Sequence, residues 1–96
     1  MRYYFEWDPR KAKENRRRHE VSFEHAATIF LDPRAATIFD SEHSQYEDRW
    51  ITMGIDGNGV LLVVVHTFQH IDDSTARIRI ISARRATKRE TTQYKE

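Results

Sequence analysis

The 96-residue chain has no cysteine. A disulfide scaffold, a thiolate metal site and a cysteine nucleophile are therefore excluded. It also lacks a long apolar run. The longest, Val60 to Val65, is six residues, where a membrane-spanning helix needs about 20. The opening MRYYFEWDPRKAK has no apolar stretch of the signal-peptide kind. Repeats, linkers and low-complexity segments are missing too. These absences point to a cytoplasmic protein with no membrane partner, built as a single domain over residues 1–96. What is present fits that expectation. Apolar residues make up 39% and charged residues 32%, which is polar for a globular protein but too apolar for a disordered one. A chain this short buries roughly 65% of its unfolded surface, so its core must be compact.

The net charge of +1 hides a pattern. Arg10 to Arg18 holds six basic residues and one acid, Glu14. Arg77 to Arg89 holds six basic residues and no acid. Between them, His19 to Ala76 carries ten acids and only Arg34 and Arg49 as cations. Two cationic segments thus flank an acidic middle. A fold that brings the two together makes a positive face; otherwise these charges solvate helix surfaces.

The pattern of residues predicts the elements. Arg2 to Glu6 is short and aromatic, a first strand. Asp8-Pro9 reads as N-cap and first position of a helix reaching about Arg18. Its only apolar residue is Ala12. Lys11, Asn15 and Arg18 share one face, so this helix is either exposed or meets a polar partner. Ser22 caps a second helix whose Phe23, Ala26, Ala27 and Phe30 face the core. Leu31-Asp32-Pro33 ends it. Ala35 to Phe39 is a possible strand, and Asp40 to Asp48 a polar loop. Trp50–Ile55 and Val60–Thr67 flank Asp56-Gly57-Asn58-Gly59, a strong hairpin signal. Val60 to Val65 is apolar on both faces, as a central strand is. In Ala76 to Ile81, Ile78 and Ile80 alternate with Arg77 and Arg79. A last helix is expected from Ser82 or Ala83 to about Tyr94, with Arg84, Arg85, Lys88 and Arg89 crowding its first turns against the macrodipole. The expected class is α+β: an antiparallel sheet of four to five strands, two N-terminal helices and one C-terminal helix.

Four blocks resemble the BrnT family of toxins from bacterial toxin–antitoxin pairs. They are FEWDPRKAKEN (Phe5 to Asn15), RHEVSFEHAATIFLDP (Arg18 to Pro33), DSEHSQYEDRW (Asp40 to Trp50) and RIISARRATKRE (Arg79 to Glu90). Their order and spacing, nearly end to end, make the match specific. The resemblance implies a RelE-like fold and an RNA-cleaving toxin that inhibits translation. It also implies a ribbon-helix-helix antitoxin, with operator DNA bound only through that antitoxin. Two positions depart from the family pattern. Glu20 stands where glycine usually follows the histidine, and Gln69-His70 stands where a basic residue is common.

Cleavage by attack of the ribose 2′-OH needs a base, an acid and cations, but no cofactor or metal. His19 is the candidate acid or base. Arg17 and Arg18 beside it disfavour its charged form, while its place at a helix C-terminus favours it. Arg79 and Arg84 are the candidate phosphate ligands, through the planar guanidinium fork; ion pairs with acids are the competing reading. Tyr94 could stack on a base or donate a proton, or simply pack on the sheet. Lys11, Arg18, Arg77, Arg85 and Lys88 complete the expected RNA-binding set. Trp7 is better read as a core anchor than as a stacking platform. His66 and His70 with Asp72 and Asp73 mix metal-ligand types, but their spacing suits no helix face. Asp40, His43, Glu47 and Asp48 read as a hydrogen-bonded polar loop. Two rivals fit the same charge map: an RNA- or partner-binding module that cleaves nothing, and a co-repressor subunit of the antitoxin complex.

Overall fold

A computed structural model describes all 96 residues. The first strand, β1 (Arg2–Glu6), leads into helix α1 (Pro9–His19). Asp8 caps α1 by accepting from the N–H of Arg10 at 2.8 Å, as an Asp-Pro pair predicts. The helix ends on Glu20 in the left-handed region, φ 57°. Helix α2 (Phe23–Ala27) starts on the Ser22 cap and runs into a 3-10 turn, Thr28–Leu31. Strands β2 (Ala36–Phe39), β3 (Trp50–Ile55), β4 (Leu61–His66), β5 (Gln69–Asp72) and β6 (Thr75–Arg85) follow, then helix α3 (Lys88–Lys95). A short 3-10 turn, Ser41–His43, interrupts the polar loop before β3. No helix is long and apolar enough to cross a membrane.

The strands form one six-stranded sheet in the order β1-β6-β4-β3-β2, with β5 also on β6. Val21, Phe23, Ala26 and Ile29 pack with Leu62, Val64, Ile78, Ile80 and Ala83 in one buried cluster. Phe23 and Ala26 are fully buried, as the helical spacing predicts. β4 is central, between β3 and β6.

Three expectations need correction. First, the sheet has six strands rather than four or five, because Gln69–Asp72 pairs with β6. A run of Gln, His and Asp gives no strand signal on its own; the edge of β6 recruits it. Second, the sheet is not wholly antiparallel. β1 runs parallel to β6 from Arg2↔Thr75 to Glu6↔Arg79, a pairing between the two ends of the chain. Third, the last helix does not begin at Ser82 or Ala83. β6 continues to Arg85, and α3 begins at Lys88 behind a Thr87–Glu90 capping box. Val65 pairs with Ser82 and His66 with Ile80, so a bulge falls at Ile81. The bulge breaks the alternation that marks a strand, and the sequence therefore reads as helix there. Arg84 and Arg85 sit on a strand, not on a helical turn. Only Lys88 and Arg89 oppose the dipole, and Glu90 offsets them.

β6 outruns β1, so beyond Arg79 its outer edge has no strand partner. Asn15 of α1 takes that place. Its Nδ2 donates to the carbonyls of Ala83 (2.8 Å) and Val21 (3.0 Å), and its Oδ1 accepts from the N–H of Ala83 at 3.0 Å. The polar helix thus meets the polar partner its sequence requires: bare strand backbone.

Candidate functional site

The predicted residues fall in three places. The first lies against α1. Lys11, Asn15, Arg18 and His19 line a hollow of about 210 Å³ with Glu14, Ile81 and Ser82. The i, i+4, i+7 spacing puts the first three on one face, and the Asn15 anchor fixes that face against β6. Glu14 is engaged with Arg17 at 2.6 Å. Neither Lys11 nor Arg18 takes part in an ion pair. Two cations outside any ion pair and an imidazole therefore share one opening with Glu14, whose carboxylate is bonded to Arg17 and also feels Arg18.

The second place is on β6. Arg77 and Arg79 line a hollow of about 350 Å³ with Glu6, Glu47, Asp48, Thr67, Phe68 and Gln69. Both arginines face carboxylates. Arg79 grips Glu47, and Arg77 Nε lies 3.9 Å from Glu6. The structure places Arg79 in an ion pair, its competing reading.

The third place is around α3. Arg84 binds Glu90 through both nitrogens, at 2.8 and 2.9 Å. This fork raises the Arg84 pKa and lowers that of Glu90 to about 2, helped by the Thr87 N–H. The Tyr94 hydroxyl donates to Asp32 at 2.5 Å. That bond raises the tyrosine pKa, so the phenol keeps its proton. Asp32 is held low chiefly by the Ile55 N–H, then by Tyr94. Arg34 lies 5.2 Å above the Tyr94 ring. Arg85 and Lys88 are exposed and enter no ion pair. His19, Arg79, Arg84 and Tyr94 thus line no common hollow.

Members of the two histidine-acid clusters make hydrogen bonds within the fold. No three His, Asp or Glu side chains stand together as a metal-binding group. His66 is buried. Its Nδ1 donates to the Thr67 carbonyl at 2.9 Å, and its Nε2 accepts from the Thr52 hydroxyl at 2.6 Å. Burial lowers its pKa, and the Thr67 contact only partly opposes that. Asp40 and Ser44 fasten the loop to Arg49: Asp40 N–H to the Arg49 carbonyl at 2.8 Å, and Arg49 N–H to Ser44 Oγ at 2.9 Å. Trp7 packs edge-on against Phe23, as a core anchor.

Another hollow gathers residues that are far apart in the sequence. Tyr3, Phe30, Thr37, Asp48, Trp50, His66, Phe68 and His70 line a hollow of about 540 Å³. These residues come from β1, the 3-10 turn, β2 to β5 and the loops between them. No local spacing could have announced the group; only the excess of aromatic and histidine residues at strand ends hinted at it.

A family model described as the ribonuclease toxin BrnT of type II toxin–antitoxin systems matches residues 7–90. No curated protein matches the chain. Among solved structures, the fold is similar to the crystal structure of the Brucella abortus ribonuclease toxin, BrnT. The TM-score is 0.58 at 19% identity, over 92% of this chain and 100% of that one. At such identity the likeness speaks for the fold.

Proposed function

This chain belongs to the BrnT family of ribonuclease toxins of type II toxin–antitoxin systems, and on that premise we propose that it cleaves RNA by 2′-OH attack without a metal ion. The observation that carries the reading is the α1 hollow, where Lys11, Arg18 and His19 meet, neither cation forms an ion pair, and the one lining carboxylate, Glu14, is bonded to Arg17. A phosphate seated there meets two positive charges, which stabilise the dianionic phosphorane. As the P–O2′ bond forms and the P–O5′ bond breaks, His19 takes the proton from the 2′-OH or gives one to the leaving 5′-oxygen, and water exchanges the other. Asn15 holds the helix and does not touch the reaction.

Arg77 and Arg79 serve a neighbouring phosphate, which displaces Glu6 and Glu47. Arg84 and Tyr94 act only after release from Glu90 and Asp32. Arg85 and Lys88 add long-range attraction. The fold is taken as RelE-like and the site of action as the cytoplasm, where cleavage stops translation. A ribbon-helix-helix antitoxin covers the cationic face and carries the pair to operator DNA. Such occlusion needs an interface of about 1,600 Å².

The test is cleavage of RNA by purified protein in EDTA. Products ending in 2′,3′-cyclic phosphate, lost on Lys11→Ala with Arg18→Ala and sharply reduced on His19→Gln, are expected. Cleavage that EDTA abolishes and magnesium restores overturns the metal-free mechanism. The ion pairs on Arg79 and Arg84 favour a second reading, a module that binds RNA without cutting it. It predicts RNA binding with no products, including in the presence of ribosomes.

A further inference from the structure

The hollow ringed by Tyr3, Phe30, Trp50, Phe68 and His70 has features that its place in the fold does not require. Its volume, about 540 Å³, is within the range of about 300–1,000 Å³ for small-molecule sites. Its walls are mostly aromatic, and their orientations are set by edge-to-face pairs. Phe68 meets His70 at 5.1 Å, Phe30 meets His66 at 4.9 Å, and Tyr3 meets Phe30 at 5.9 Å. Its polar groups are the Tyr3 hydroxyl, Thr37, Asp48, His66 and His70, of which Thr37, Asp48 and His70 are exposed and His66 is buried. The Nε2 of His66 is occupied by Thr52, which also bonds Thr37 at 2.7 Å. So His66 is satisfied within the fold, and the Asp48 carboxylate, which enters no ion pair, is left to meet a ligand.

Its position matters as much as its lining. Asp48 and Phe68 belong both to this hollow and to the one that holds Arg77 and Arg79. One side offers aromatic surface; the adjoining side offers two guanidinium groups, each facing a carboxylate, Glu6 or Glu47, that a phosphate must displace. That is the division of labour by which proteins hold a splayed nucleotide: stacking for the base, cations for the phosphate. The Asp48 carboxylate stands at the junction of the two hollows. It also accepts hydrogen bonds from a base edge, and guanine presents two adjacent donors, N1–H and the 2-amino group.

We infer that this hollow is a nucleobase subsite, which takes one unstacked base of the RNA, with guanine preferred, and leaves its phosphate to Arg77 and Arg79. The inference rests on the reading of the chain as an RNA-directed toxin, but not on cleavage. The subsite positions RNA and has no part in proton transfer.

The experiment is an NMR titration of the intact chain with GMP, UMP and ribose 5-phosphate. GMP is expected to shift the Trp50 indole and His70 ring signals saturably, and UMP more weakly. Ribose 5-phosphate, which has no base, should leave Trp50 unmoved. His70→Ala, at an exposed position, and Phe68→Ala should each weaken GMP at least about fivefold, the low end for losing a stacking surface. Phe68 also packs on the core; His70→Ala therefore carries the test if the Phe68 variant fails to fold. Asp48→Asn should narrow the gap between GMP and UMP. The inference is overturned if GMP moves only the Arg77 and Arg79 signals, or if ribose 5-phosphate reproduces every GMP shift. Metal-free cleavage with no Trp50 response overturns the subsite alone. A saturable Trp50 response with no cleavage overturns the enzyme and leaves the subsite standing.

Discussion

The Asn15 side chain and the Ala83 backbone pair as two strands would, donor to acceptor in both directions, across 68 residues of sequence. This contact caps the open edge of β6 and fixes the helix that carries Lys11, Arg18 and His19. Asn15→Ala leaves the Ala83 N–H and two carbonyls without their partner in a buried site. Each such group costs about 1–3 kcal/mol, so a loss of about 3 kcal/mol is expected in urea unfolding. Asn15→Asp keeps the acceptor but loses both donors, and should also fall well below the wild type.

Glu20 is the only non-glycine residue at positive φ. It closes α1 through its N–H to the Arg16 carbonyl at 2.9 Å. Glycine adopts this conformation without the Cβ penalty. Glu20→Gly is therefore expected to stabilise the protein by about 1 kcal/mol. Chemical denaturation checks it. Glu20 does not line the α1 hollow.

The Arg84–Glu90 fork makes stability depend on acid. Glu90 has a folded pKa of about 2 against an ordinary 4.5. Its contribution is therefore complete above pH 4.5 and disappears as pH falls towards 2. Arg84 is 42% exposed, so screening limits the pair to about 1 kcal/mol. Arg84→Ala should return the Glu90 titration, followed by side-chain NMR, towards the ordinary range and flatten that part of the acid profile.

His66 should remain neutral, as the Nδ1–H tautomer, at pH values where exposed histidines are charged. Its pKa is depressed by burial, so the unfolded chain takes up the proton first. Stability is complete above about pH 6.5 and erodes as pH falls below it. Ring-nitrogen NMR reports the tautomer directly. Thr52→Val removes the hydroxyl bonded to Nε2 and should cost about 1–2 kcal/mol.

RNA affinity should fall with salt in proportion to the phosphates contacted. Removing Lys11 or Arg18 should each lower the slope of log K against log salt by about 0.7, the single-strand value per phosphate. Fluorescence anisotropy with a labelled single strand measures it. An unchanged slope in both variants places RNA away from α1.

The sequence by itself determined the features that depend on neighbouring residues. Asp8-Pro9 and Ser22 start helices because their side chains reach N–H groups two or three residues on. Asp56 to Gly59 makes the hairpin because Asp56 Oδ1 accepts from Asn58 and Val60, and Gly59 takes φ 82°. The apolar run from Val60 to Val65 marks the central strand, and the four family blocks identify the toxin. What the sequence did not reveal is non-local. The parallel β1–β6 pair, the Arg79–Glu47 bond across 32 residues and the Tyr94–Asp32 bond across 62 depend on which surfaces the chain brings together. The bulge at Ile81 hid the end of β6 by breaking its alternation. The tertiary structure alone decided that Arg79 is held, because only packing brings Glu47 to it across 32 residues, while Lys11 and Arg18 enter no ion pair.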